Sequence, residues 1–166
     1  MNAEDYLYAC VEAGIALSGF AALALAIRSR TGANYTPYER GLVASLVERG
    51  LVAALLGLTP LLLQSFQLAE QAVWGASSGL FLLYGASIVA RSVAARRQPD
   101  SESFVGRRVF IPIFAVGIVV MSTQLFNILP LGIEQGAHWF LLANTWLLLS
   151  AGYLFWFFLR AWVRAA

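Results

Sequence analysis

Five apolar stretches, each near the roughly 20 residues needed to cross a hydrocarbon core of about 30 Å, run through this chain at 6–27, 46–66, 72–90, 109–129 and 139–159. All eleven basic residues are arginines, and they lie in or beside alternate connections between the stretches or in the C-terminal tail. Arg28, Arg30, Arg40 and Arg49 surround the first connection, Arg91, Arg96, Arg97, Arg107 and Arg108 the third, and Arg160 and Arg164 lie in the C-terminal tail. The pattern predicts an all-α polytopic integral membrane protein, a five-transmembrane-helix bundle forming one domain over residues 1–166. Because cytoplasmic loops retain arginine, the arginine-bearing connections and the C-terminus are expected in the cytoplasm and the N-terminus outside, in a bacterial cytoplasmic (inner) membrane.

Composition agrees: 60% of residues are hydrophobic and 12% charged, against about 25% charged in an average soluble domain. The first stretch reads as a retained span, not a cleaved signal peptide, because it lacks a basic leader, contains Glu12 and exceeds the roughly 7 to 15 residues of a signal core. Amphipathic rings favour headgroup level, which assigns Trp74 and Trp139 to the outer boundary, Trp156 and Trp162 to the inner one, and Trp146 to mid-membrane. Segments 67–71 and 130–138 read as tight outer turns. Segment 96–106, with Pro99, Asp100, Ser101, Glu102 and Ser103, reads as a flexible loop.

Thr36-Pro37-Tyr38-Glu39 has the form of a capping box, with proline at the first helical position. A helix from there to Phe66 would span about 45 Å at 1.5 Å per residue, so it must protrude on the cytoplasmic side or tilt. Inside it, Glu39-Arg40-Gly41-Leu42-Val43-Ala44 recurs as Glu48-Arg49-Gly50-Leu51-Val52-Ala53. Glu48 and Arg49 are thus candidates for an inner-boundary ion pair. The more economical expectation is a protruding helix with wet charges and Arg49 snorkelling to phosphate. Close helix packing in lipid uses small residues, which points to the four-residue ladder Gly14, Ser18, Ala22 and Ala26 and to the pair Gly75 and Gly79.

Gly75-Ala76-Ser77-Ser78-Gly79 also matches G-x-S-x-G and resembles the Gly-Ala-Ser-Gly box of rhomboid intramembrane proteases. That resemblance would imply a serine nucleophile facing a histidine within six spans. Here there are five, the one histidine, His138, sits at the outer boundary, and Ser77 lies about 8 Å deeper. Packing glycines around small serines are the preferred reading. Without lysine there is no Schiff base, Cys10 alone gives neither disulfide nor thiolate cluster, and His138 alone gives no two-histidine site. No catalytic residue, cofactor or metal is therefore expected, and no nucleic-acid partner. The partners expected are a second copy of the chain and membrane lipids, with anionic headgroups at the cytoplasmic arginines.

Counted inward from the outer ends, Glu12, Ser77, Ser78, Gln124 and Asn144 fall at one depth of about 7 to 9 Å. Asn127, one turn outward of Gln124, and Gln64 would line the approach. A carboxylate among amides and hydroxyls suits a cation or a proton, so this layer is the candidate ion or solute site, with interhelical hydrogen bonding as the plainer alternative. The expected function is a small channel or transporter moving an ion, proton or small solute through a homo-oligomer. Alternatives are a non-catalytic subunit of a larger membrane complex, or a small intramembrane enzyme using Glu12 or His138.

Overall fold

The computed structural model describes residues 2–30, 36–96, 107–129 and 136–165, and in them each apolar stretch becomes one helix. These are α1 (Ala3–Arg30), α2 (Pro37–Ser65), α3 (Glu70–Arg96), α4 (Arg107–Ile128) and α5 (Ala137–Ala165). All five are long and apolar enough to cross a membrane. Most of the expected loop 96–106 and of the turn 130–138, Glu134 included, lies outside the described residues.

Local chemistry explains where α2 begins and ends. The Thr36 hydroxyl accepts from the Glu39 amide at 3.2 Å, while the Glu39 carboxylate accepts from the Thr36 amide at 2.9 Å and its hydroxyl at 3.0 Å. The box expected from the sequence therefore closes, with Pro37 contributing no orphan N–H at the first turn. At the other end Phe66 caps the helix and Gln67 adopts a φ of 56°. That left-handed residue turns the chain straight into α3, as glycine does at many helix ends.

Helix registers establish an up-and-down arrangement. Gly14 faces Gly50 and Ser18 faces Val47, so α1 and α2 run antiparallel. Ser78 with Gln124 sets the same relation for α3 and α4, and Arg49 with Ser150 for α2 and α5. Helix α5 touches all four others, whereas α1 packs only on α2 and α5. One end of the bundle carries the α2–α3 turn and little positive charge; the other carries the described arginines.

The small-residue ladder on α1 is half used. A methyl group added at Gly14 or Gly50 would collide with the opposite backbone, so the two helices meet with each glycine against the other's carbonyl oxygen. Ser18 Oγ donates to Gly14 O at 2.9 Å and across the interface to Val47 O at 3.2 Å. Ala22 and Ala26 are exposed, and Ala21 and Ala24 are buried in their place. Each four-residue step overshoots a full turn by about 40°, so a strict four-residue ladder winds off the contact face and a three-residue step restores it. On α3, Gly75 approaches the Asn127 carbonyl of α4, but Gly79 has nothing within 4 Å of an added methyl and borders an open apolar groove beside α2.

Two apolar clusters form the core. One, nearer the arginine-poor end, gathers Leu7, Leu56, Trp74, Phe81, Phe140 and Leu147; the other gathers Leu42, Leu46, Ile113, Leu154 and Phe158. Trp74, expected at a boundary, is 2% exposed and packs on Phe140 with ring centroids 6.0 Å apart, because it shares the inward face of α3 with Val73, Ser77 and Phe81. Trp146 packs against both clusters and stands at the level between them.

Candidate functional site

The structure brings together two residues of the expected layer, Ser78 and Gln124, with Asn127 from its expected approach. Ser78 Oγ donates to Gln124 Oε1 at 3.0 Å, and Asn127 Nδ2 donates to Ser78 Oγ at 3.0 Å. Gln124 Nε2 donates onward to Trp139 O at 2.8 Å. Asn127 pairs with Gly136 in both directions, accepting from its amide at 2.9 Å and donating to its carbonyl at 3.1 Å. All three side chains are buried. Their polar ends are spent on each other and on the entry to α5, so the cluster is a latch joining α3, α4 and α5 with no group left to hold a solute.

The other members of that layer are elsewhere. Ser77 donates to Val73 O in its own helix at 2.8 Å, and His138 is exposed against the Trp139 ring, so the G-x-S-x-G resemblance assembles no serine–histidine pair. Asn144 lies between α1, α2 and α5, beside Cys10 and Gly57. Gln64 is half-buried at the end of α2. Glu12 is exposed, nine residues into α1, or about 13.5 Å along it. At 100° per residue it shares the centre of the outward face with Ala16, Gly19 and Leu23, opposite Gly14 and Ser18.

The charged repeat of α2 proves the more informative feature. Glu48 bonds with Arg91 of α3, not with Arg49. Adjacent helical residues diverge by about 100° and do not face each other, so Glu48 turns to α3 while Arg49 turns inward. Half-buried Arg49 donates from Nη1 to Ser150 Oγ at 2.7 Å, and the Ser150 hydroxyl is fully buried and donates in turn to Leu147 O at 2.8 Å. That is the one hydrogen bond Arg49 makes among the described residues, although a guanidinium carries five N–H donors.

Arg49 borders a cavity of about 50 Å³ where α2, α3, α4 and α5 meet, between the two apolar clusters. Its walls include Phe81, Ile113, Phe114, Met121 and Trp146. Tyr84 also lines it and lies within electrostatic reach of Arg49, Glu48 and Arg91. The Tyr84 hydroxyl is fully buried and has no hydrogen-bond partner. Gly85 and Gly117 open the space: an added methyl at Gly85 would strike the Met121 thioether at 2.6 Å, and at Gly117 it would touch Trp146 Nε1 at 3.5 Å. Counted from the arginine-poor helix ends at 1.5 Å per residue, Ser150, Tyr84 and Arg49 lie about 20, 21 and 24 Å deep. Three helices thus deliver polar groups to one level.

Among the described residues only Tyr84 Oη and the two amide atoms of Asn144 are buried side-chain groups without a partner. The site at Arg49 was partly visible in the sequence as an intramembrane charge; Tyr84 and Ser150 carried no signal of their own, since each is a common residue in a long helix. Comparison of the chain with protein-family models, with characterised proteins and with solved structures finds no match.

Proposed function

We propose that the chain is a small membrane transporter or channel for a negatively charged solute, with the Arg49 cavity as its binding position. One observation carries the reading: a guanidinium with a single hydrogen bond lines a cavity whose wall also includes Tyr84, and the hydroxyl of that tyrosine is buried without a partner. A charge held within a span is costly, by up to roughly 2.5 to 3.5 kcal/mol at the bilayer centre on insertion scales, and marks substrate or ion pathways. Arginine in a pore favours anions. In this reading Ser78, Gln124 and Asn127 hold the helices that frame the cavity, and the Glu48–Arg91 pair stands at its arginine-rich mouth.

The reading places the protein in a bacterial cytoplasmic membrane with its N-terminus outside, so that the arginine-rich end is cytoplasmic. It also includes self-association through α1, because a carboxylate centred on an outward helix face within a span is costly in lipid, and Glu12 with the close-approach residues Ala16 and Gly19 suits a helix–helix contact. The test is flux in proteoliposomes, read with small anions and with cations of similar size. Anion flux that falls at least tenfold in Arg49→Met is expected; cation flux, or flux indifferent to Arg49, would overturn the assignment. Native mass measurement of the detergent-solubilised protein should give an oligomer that Glu12→Arg disperses, and a monomeric wild type would refute the assembly.

A further inference from the structure

Resting on the transport reading above, we infer that the solute is a small monovalent anion, of halide, nitrate or formate size, held between the Arg49 guanidinium and the Tyr84 hydroxyl. Size is the first argument. The space beside Arg49, about 50 Å³ and partly open, has room for roughly three to five waters at about 10 to 15 Å³ each, which suits a halide or a compact planar anion.

Charge is the second. Of the described residues lining the cavity, Arg49 alone carries a formal charge. Glu48 next to it is committed to Arg91, so the cavity presents one uncompensated positive charge. An apolar wall of Phe81, Ile113, Phe114 and Met121 offers nothing to stabilise a second negative charge, and desolvating a divalent anion there would leave half its charge unmatched.

Donor chemistry is the third. Arg49 has N–H groups to spare, and the hydroxyl of Tyr84 is buried without an acceptor. The indole Nε1 of Trp146 adds another N–H on the cavity wall. All three can donate, and two of them, the guanidinium and the indole, cannot accept. A wall so weighted toward donors favours an anion over a cation.

The test uses the full chain in detergent and chloride as the probe, followed by ³⁵Cl NMR line broadening. Wild-type protein should give saturable broadening that bromide, nitrate and formate reverse and that sulfate does not. Arg49→Met should abolish the saturable part. Because that variant alters a buried charge and its folding is at risk, Tyr84→Phe supplies the decisive arm: it keeps the ring and should weaken chloride binding about tenfold, the equivalent of one hydrogen bond to a charged group at about 1.4 kcal/mol per factor of ten. Unchanged affinity in Tyr84→Phe, or displacement by sulfate as effective as by bromide, overturns the inference. Saturable chloride binding without anion flux would refute transport and leave the site standing. Flux of larger anions without chloride binding would do the reverse.

Discussion

Replacing Gly50 by alanine tests the central packing claim, that α1 and α2 meet at backbone distance through glycine. The added methyl would stand 2.7 Å from Gly14 O, where ordinary van der Waals contact begins at 3.4 Å, and it would overlap Ser18 Oγ as well. The helices must part by about 0.7 Å, or Ser18 must rotate and give up its bond to Val47 O. Overpacking of this kind costs typically 1 to 3 kcal/mol, and the interhelical hydrogen bond adds about 0.6 kcal/mol. Against this, alanine gains roughly 0.5 to 1 kcal/mol over glycine within a helix. The net is a destabilisation of about 1 to 3 kcal/mol, equivalent to a lowering of the unfolding temperature by roughly 2 to 10 °C for a chain of this size. Cys10, the chain's single cysteine and 3% exposed, is a built-in reporter: a maleimide that fluoresces on reaction with its thiol follows unfolding in detergent. Gly152→Ala in α5 is the control, since nothing lies within 4 Å of a methyl there, and it should match or exceed wild type. The reasoning fails if Gly50→Ala melts at or above the wild-type temperature, or if Gly152→Ala falls as far.

Other expectations use the same thermal assay. Asn127→Ala removes two donated bonds and the acceptor for the Gly136 amide, so at about 0.6 kcal/mol each it should destabilise by roughly 2 kcal/mol; a change under about half of that would refute the latch. Tyr84→Phe in buffer free of small anions should be neutral or stabilising by about 1 kcal/mol, because it deletes a buried hydroxyl that bonds to nothing, and a clear loss would indicate a partner for that hydroxyl. Asn144→Leu should likewise hold or raise stability, as both amide atoms are buried and unpaired; marked unfolding would contradict that geometry.

Much of the scaffold was legible because it rests on local or one-dimensional signals. Five apolar stretches gave five helices, and Thr36 with Glu39 closed the cap its spacing implied. Of the five residues expected at one depth, Ser78 and Gln124 meet, joined by Asn127 from one turn outward. Depth is only one coordinate, however. Glu12 points away from the α2 face of Gly14 and Ser18, and Asn144 belongs to the α1–α2–α5 contact. Azimuth follows from which face each helix buries, and in a chain whose apolar residues surround every helix the sequence pattern is nearly blind to it. The same gap hid the Arg49 site. Recognising it required knowing that α2 turns Arg49 toward Ser150 while Glu48 finds Arg91, a choice made by packing partners 101 and 43 residues away.

The two polar clusters differ in how fully their hydrogen bonds are satisfied. In the latch, Gln124 and Asn127 meet their donors and acceptors within the protein, which is the arrangement that stabilises a fold. At the four-helix junction the opposite holds, with a guanidinium making one bond and a phenol making none. A buried hydroxyl left without an acceptor costs about 1 to 3 kcal/mol, and phenylalanine, identical in shape apart from that oxygen, would remove the cost. In the reading proposed above, that acceptor is the transported anion. Water would serve the hydroxyl in any cavity, so the weight falls on Arg49: it adds a positive charge to the same wall, which favours a negatively charged acceptor over water.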